Sequence, residues 1–457
     1  MTIEAALTEL STLLGARLSR SKPDLEQHGR SETHFPLTPP DAVAYPSTTE
    51  EVSAIVQVCA RHHCPVIGWG TGTSLEGHSL ALSGGVCVDF SGMNKVLQIN
   101  AEDMDVVVQP GVTREALNHE LRATGLFFPV DPGANASLGG MAMTRASGTT
   151  AVRYGTMRDN VMGLQVVLAD GRVIRTGTRA RKSSAGYDLT ALMVGSEGTL
   201  GLVTELTLKL RGQPEAISAA VCAFGDMDSA VNAVIATIQM GIPMARIEFV
   251  DPAMAEAFNL YAGANLPLAP HLLVEFHGSD ASVAQDVDRF REIADDFGAS
   301  GFDWATRPED RTALWTMRHN AHYASQALRP GVRVLVTDIC VPISRLAEAV
   351  EETRADIAAA PFPGTILGHV GDGNFHAELM FDENDADECA AVHKFSERIV
   401  ERALRLGGTC TGEHGVGIGK LEYMAAEHGD AWAVMGDLKR ALDPDNIMNP
   451  GKVVRLN

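Results

Sequence analysis

Apolar residues are spaced in two ways along this chain, and the change falls at Arg211-Gly212-Gln213-Pro214. The opening stretch MTIEAALTELSTLLGARL has the spacing of an amphipathic helix. Ser47-Thr48-Thr49-Glu50 is a capping-box pattern, in which a hydroxyl and a carboxylate satisfy the first free amides of a helix. It predicts a helix with Val52, Ile55, Val56 and Cys59 on one face, ending near Pro65. Pro65-Val66-Ile67-Gly68-Trp69-Gly70 then reads as a short buried strand entering a glycine loop. Val106-Val107-Val108, Val166-Val167-Leu168 and Val173-Ile174 are β-rich, and Asp170-Gly171 between the last two is a hairpin turn. Residues 200–210 alternate as a further strand. Beyond residue 214 helical spacing takes over, at about 227–240, 281–297, 309–328, 344–359 and 385–406. Strand-like pieces such as Leu272–Phe276 and Val334–Val336 separate these helices, which predicts an α+β domain with an antiparallel sheet. No internal repeat interrupts the pattern.

Composition narrows the class. A chain of 457 residues is too long for one core and implies two or three domains. Hydrophobic content of 45% and charged content of 21% are those of a globular enzyme. No apolar run reaches the roughly 18 residues a membrane helix needs. The N-terminal stretch lacks the basic start of a signal peptide and the Arg/Ser bias of a transit peptide, so the expected compartment is the cytoplasm. Net charge is −21, and no Lys/Arg cluster offers a nucleic-acid footprint. The seven cysteines are scattered without a CxxC, which weighs against a structural zinc, an iron–sulfur cluster or a disulfide framework.

The candidate chemistry begins in Gly368-His369-Val370-Gly371-Asp372-Gly373-Asn374-Phe375-His376. On an unbroken strand the odd offset would send the two imidazoles to opposite faces. Gly371 and Gly373, with Asp372 and Asn374, predict instead a sharp bend between two short extended pieces, and a bend can bring both rings to one point. Glu413, from a second glycine-flanked segment, adds a carboxylate. Two imidazoles and a carboxylate with open positions are what catalytic divalent metals use, zinc or manganese among them. His414 beside that carboxylate is the candidate base. For any lone pair of histidines, two satisfied loop residues is the plainer reading; the glycines bracketing both segments favour a site.

Three glycine-rich stretches fit no nucleotide fingerprint. Gly70-Thr71-Gly72-Thr73-Ser74-Leu75-Glu76-Gly77-His78-Ser79 has Leu75 where a dinucleotide loop needs glycine, and His78 where a phosphate loop needs lysine. What it keeps is a turn of small residues whose amides can approach an anion. Asp131 to Gly140 runs on through Ala146-Ser147-Gly148-Thr149 to Arg153-Tyr154-Gly155, and Gly195-Ser196-Glu197-Gly198-Thr199-Leu200-Gly201 adds a third turn. Such stretches are poor core material and suit backbone wrapped around an extended pyrophosphate ligand.

Taken in order with Gly412-Glu413-His414-Gly415 and the closing Asn449-Pro450-Gly451-Lys452, these segments resemble one family from about residue 40 onward. It is the FAD-linked D-2-hydroxyacid dehydrogenases of the vanillyl-alcohol oxidase/p-cresol methylhydroxylase superfamily. The resemblance implies an FAD-binding domain of two α+β subdomains over 1–214, an antiparallel-sheet cap carrying the substrate site over 215–410, and a segment 411–457 returning to the FAD domain. It implies FAD contacts at Gly70, Thr71, Gly72, Thr73, Ser74, Gly77 and His78 in the first loop. Pro132, Ser137, Gly139, Gly140, Thr144, Ser147 and Gly148 follow in the second. Arg153, Tyr154 and Gly155 with Glu197, Gly198 and Gly201 would lie along the ribityl chain and ring, with Asn449 near the C-terminus. His78 raises the question of a covalent flavin, but the dehydrogenases most similar to this chain hold FAD non-covalently.

The resemblance further assigns His369, His376 and Glu413 to a divalent metal, His414 to proton abstraction and Arg318 to the substrate carboxylate, with Arg329 and Arg333 as outer candidates. The implied reaction is oxidation of a D-2-hydroxy acid, D-lactate first and D-2-hydroxyglutarate or glycolate as alternatives. Glu378 beside the site disfavours a second substrate carboxylate. Electrons would leave to a cytochrome, a quinone or an electron-transfer flavoprotein, and a homodimer is compatible. A metal-dependent hydrolase fits the histidines and Glu413 alone, but has no use for the glycine loops. A non-catalytic flavin-binding protein has no use for a base.

Overall fold

The computed structural model describes residues 3–305 and 307–456. The chain divides into two compact units, one of Met1–Ser147, Gly155–Gln213 and Glu413–Asn457, the other of Gly148–Tyr154 and Pro214–Gly412.

The first unit is built on two main sheets. In one, Ala42–Ala44, Val86–Asp89 and Val66–Trp69 run parallel, with Leu18–Ser19 antiparallel at the edge. The sequence of these strands is unbroken apolar rather than alternating, as expected where both faces are covered. Helices Ile3–Leu14 and Thr49–His62 bury Leu7 and Leu10, and Val52, Ile55, Val56 and Cys59, into the same core. The helix start expected at Ser47–Glu50 lies one residue later. Thr48 is the cap, its hydroxyl accepting from the Glu51 amide. Glu51, not Glu50, reaches back to the Ser47 amide at 2.8 Å, because the Arg17 guanidinium holds its carboxylate there. The second sheet is antiparallel, in the order Val96–Asn100, Asp105–Val108, Leu202–Lys209, Val161–Val167, Val173–Gly177. Its last two strands are the hairpin turned at Asp170-Gly171, where Gly171 has φ +83°.

In the second unit one antiparallel sheet runs Ser300–Ala305, Ala216–Ala223, His271–Gly278, Met244–Val250, Gly364–Gly368, Asn374–Phe381, Arg333–Val336. Helices Met227–Gln239, Asp280–Asp296 and Ala386–Arg405 lie where the helical spacing predicts them. Two predicted helices are modified. The stretch 309–328 breaks at Asn320 into Pro308–His319 and Ala321–Leu328. Asn320 has φ −88° and ψ 14°, the bridge conformation that short polar side chains tolerate. The stretch 344–359 opens with a tight turn Ile343–Arg345 after Pro342 before the helix Leu346–Ala358. Strands 364–368 and 374–381 bring the two histidines beside strand 244–250, with Phe249 opposite Gly368.

Candidate active site

His369 begins the connection after strand Gly364–Gly368, and His376 lies inside strand Asn374–Phe381, opposite Leu367. His369 therefore escapes strand alternation, which is how an odd offset still brings both rings together. Their centroids lie 5.6 Å apart with ring planes at 84°, and one ligand atom of each lies within 4.8 Å of the other. The turn demands glycine: Gly373 has φ +81°, and a Cβ there would sit 2.1 Å from the Val341 carbonyl oxygen.

Each imidazole is oriented through its Nδ1. His369 Nδ1 is 2.7 Å from a Glu248 carboxylate oxygen, and His376 Nδ1 is 2.9 Å from the Thr337 carbonyl. Both partners can only accept, so each Nδ1 carries a hydrogen, and Nε2 is the nitrogen of each ring that would meet an ion. That is the tautomer and the arrangement found behind metal-binding histidines, and it is why these residues fit a divalent ion.

Glu248 escapes a reading of the sequence alone. It is wholly buried in strand Met244–Val250, and its second oxygen takes Arg318 Nη2 at 2.7 Å and Nε at 3.0 Å. Burial works against its charge, but His369 and Arg318 outweigh it and hold the carboxyl below its ordinary range. Strand Met244–Val250 reads Met-Ala-Arg-Ile-Glu-Phe-Val, and with Arg246 two residues before it Glu248 carries no local signal of its role. Arg318 is itself buried, on the last turn of helix Pro308–His319. Asp338, also buried, accepts from Asn374 Nδ2 at 2.8 Å and Thr411 Oγ1 at 2.7 Å. It ties strand Asn374–Phe381 to the approach of Gly412, where a Cβ would lie 2.1 Å from Asn374 Nδ2. Glu413 and His414 follow directly in the chain.

Not every candidate cation is available. Arg329 pairs with Glu388 at 2.8 Å and Arg333 with Glu383, so both outer guanidinium groups are engaged by carboxylates. Glu378, two residues past His376 and hence on the same strand face, accepts from Ser325 and lies 3.7 Å from His322 Nδ1.

In the first unit the glycine loop after strand Val66–Trp69 fits a pyrophosphate cradle. Among the described residues, no amide from Thr71 to Ser79 donates to a protein acceptor. Gly72 and Gly77 both have φ +72°, and a Cβ on Gly72 would fall 2.4 Å from the Trp69 ring. Gly70 and Gly140 leave room around Ser137, whose buried hydroxyl has no hydrogen-bond partner. Thr144 turns its hydroxyl back to the Gly140 carbonyl at 3.2 Å. A Cβ on Gly139 would meet Pro110 at 2.5 Å, and one on Gly201 would meet Val166 at 2.6 Å, so these two glycines allow close packing of backbone.

Other expected FAD contacts have protein partners. Glu197, at φ +55°, accepts from the amides of Val416 at 2.6 Å and Gly417 at 2.8 Å, and its carboxylate lies 3.4 Å from His78 Nε2. Burial opposes that charge, yet His78 and the two amides hold the carboxyl below its usual range. Asn449 donates to the carbonyls of His78 at 3.0 Å and Glu197 at 2.7 Å. These three side chains hold the first unit's loops to its C-terminal segment. In the second unit the Tyr154 hydroxyl meets His277 Nδ1 at 2.7 Å, and Arg153 donates to the Pro243 carbonyl.

Residues 40–177 match the family described as FAD binding domain, and residues 213–453 match FAD linked oxidases, C-terminal domain. A probable D-lactate dehydrogenase, mitochondrial, of Danio rerio is 52% identical, covering 94% of this chain and 88% of its own. A D-lactate dehydrogenase [cytochrome], mitochondrial, of Arabidopsis thaliana is 44% identical, covering 98% and 80%. The solved p-cresol methylhydroxylase structure superposes with a TM-score of 0.79 at 18% identity, covering 98% of this chain and 96% of that one, which shows a shared fold. Both relatives are named mitochondrial, and this overturns the expected cytoplasmic location. The N-terminal pattern misled because it reports packing: Ala6, Leu7, Leu10 and Leu14 face the core, and a helix that folds inward says nothing of compartment. Among the described residues no helix is long and apolar enough to cross a membrane.

Proposed function

The chain belongs to the FAD-linked D-2-hydroxyacid dehydrogenase family, and we propose that it oxidises D-lactate to pyruvate and passes the electrons to a cytochrome. The observation that carries the reading is the pair of imidazoles His369 and His376, side by side and each oriented by an Nδ1 hydrogen bond, in the same unit as a buried arginine.

Glu413 completes the ligand set for a divalent ion, which when bound lowers the pKa of the substrate's 2-hydroxyl. FAD, held by the loops 70–79 and 131–148, supplies the acceptor for the two electrons leaving C2. The chain's residues do the rest. Arg318 grips the substrate carboxylate through the guanidinium edge that Glu248 leaves open. His414 takes the hydroxyl proton at an imidazole nitrogen. Arg318 at the carboxylate, the ion site at the 2-hydroxyl and the flavin at the C2 hydrogen would fix three different substituents of C2, which distinguishes D from L. Glu378, on the face of His376, repels a second substrate carboxylate and so favours lactate over 2-hydroxyglutarate. The Arabidopsis relative is named a cytochrome-type enzyme, which favours a cytochrome over a quinone as acceptor.

The purified protein should show flavin absorption, and D-lactate in a rapid-mixing experiment should bleach it faster than L-lactate, D-2-hydroxyglutarate or glycolate. Removing the divalent ion with a chelator should abolish bleaching while the flavin spectrum persists. A colourless protein that FAD cannot reconstitute would end the flavoenzyme reading. Full turnover in verified metal-free protein would end the metal assignment alone.

A further inference from the structure

Glu248 is a single carboxylate with two employments. One oxygen holds His369 Nδ1 at 2.7 Å, and the other holds Arg318 Nη2 at 2.7 Å and Nε at 3.0 Å. The residue sits on strand Met244–Val250, the central neighbour of the histidine hairpin, so the frame that carries it is rigid. A guanidinium has five N–H donors, and Arg318 meets Glu248 through its Nε/Nη2 edge. The Nη1 side and the remaining Nη2 hydrogen are left as a fork that matches a carboxylate. On the other side the same carboxylate fixes the tautomer of His369 and turns its Nε2 outward.

We propose that Glu248 is a positioning residue that locks the substrate-gripping guanidinium and the imidazole that would hold an ion into one frame, so that the spacing between these two groups is set by one side chain. The inference rests on the dehydrogenase reading above. Its chemistry explains why a charge is buried here at all. A carboxylate can accept from both partners at once; an amide has one oxygen and would turn its NH₂ toward a donor. The charge also matters, because Arg318 buried without a counter-ion would be strongly disfavoured.

Glu248→Gln separates this role from a purely structural one. Manganese affinity, measured by titration against a competing chelator, should fall about 10–100-fold, the usual effect of removing the partner behind a metal-binding histidine. KM for D-lactate should rise by about tenfold or more as the guanidinium loses its orientation. FAD content should stay at the parental level. Saturating manganese should restore much of kcat but leave KM high, a split that a general loss of fold would not produce. In an Arg318→Ala background, Glu248→Gln should still lower manganese affinity but add nothing further to KM. If the amide variant does not fold, Glu248→Asp, which keeps the charge and withdraws it by one methylene, should give the same split in smaller measure. Parental manganese affinity and KM in a folded Glu248 variant would overturn the inference. A parent that binds no ion or is not reduced by D-lactate would instead overturn the reading beneath it.

Discussion

His414 sits in a segment whose path is set by backbone hydrogen bonds: the amides of Val416 and Gly417 are both held by Glu197. Truncating its ring should therefore remove a proton acceptor without moving the loop. His414→Ala should keep FAD and divalent ion, read by absorbance and metal analysis, while the rate of flavin reduction falls about 10²–10⁴-fold, the usual worth of a general base. A near-parental rate would move the base elsewhere. At this scale the sequence was informative where glycine did the bending. His369 and His376 could be paired because Gly371 and Gly373 argue against a continuous helix and Asp372 and Asn374 favour a bend, which Gly373 makes at φ +81°. Glu248 could not be found, because its partners His369 and Arg318 lie 121 and 70 residues away and nothing local distinguishes a carboxylate that orients from one that is solvated. Glu197 and Asn449 were expected at the flavin, and their side chains also bond protein groups 220 and 252 residues away in sequence.

Elements were legible where one face decides them. The helix Thr49–His62 and the hairpin 161–177 follow from apolar spacing and from Asp170-Gly171. The errors are at ends and joints, where a side chain from elsewhere intervenes: Arg17 moves the cap at residue 48, and Asn320 splits a helix that spacing alone runs together. Helix Pro252–Ala262 offers a test of an element's end. Its cap, Asp251, accepts from the Met254 amide at 2.8 Å, and burial pushes its carboxyl up to about 7 despite the backbone amides that favour the anion. A raised carboxyl pKa means that the fold prefers the neutral form. Its contribution to stability is present below the ordinary value of 3.8 and is lost as pH rises through about 7. Asp251→Asn keeps an N-cap acceptor and removes the titration. Urea unfolding across that window should show the parent losing stability relative to the variant as pH rises; parallel curves would mean that Asp251 is charged in the fold throughout.

For the molecule as a whole, the scattered cysteines give a direct measurement. Among the described residues all seven are free thiols, with Cys59, Cys64, Cys87, Cys222 and Cys410 buried. Burial pushes Cys222 up to about 12 and Cys87 well above the ordinary range, so the reactive thiolate is suppressed. A thiol reagent should modify only Cys340 and Cys389 in the native protein and all seven after unfolding, and a reductant should leave the melting temperature unchanged. A reductant-sensitive melt would reveal a disulfide instead. The chain's own pattern determined its fold class, its strand-rich and helix-rich halves, the glycine loops and the histidine bend, because each depends on residues within a few positions of one another. Tertiary structure alone decided that Gly148–Tyr154 packs with a sheet beginning far downstream, and that Glu248 stands behind both His369 and Arg318. Those are choices of partner across long sequence separations, made by burial and by the need of each buried charge for an opposite one, and no local spacing encodes them.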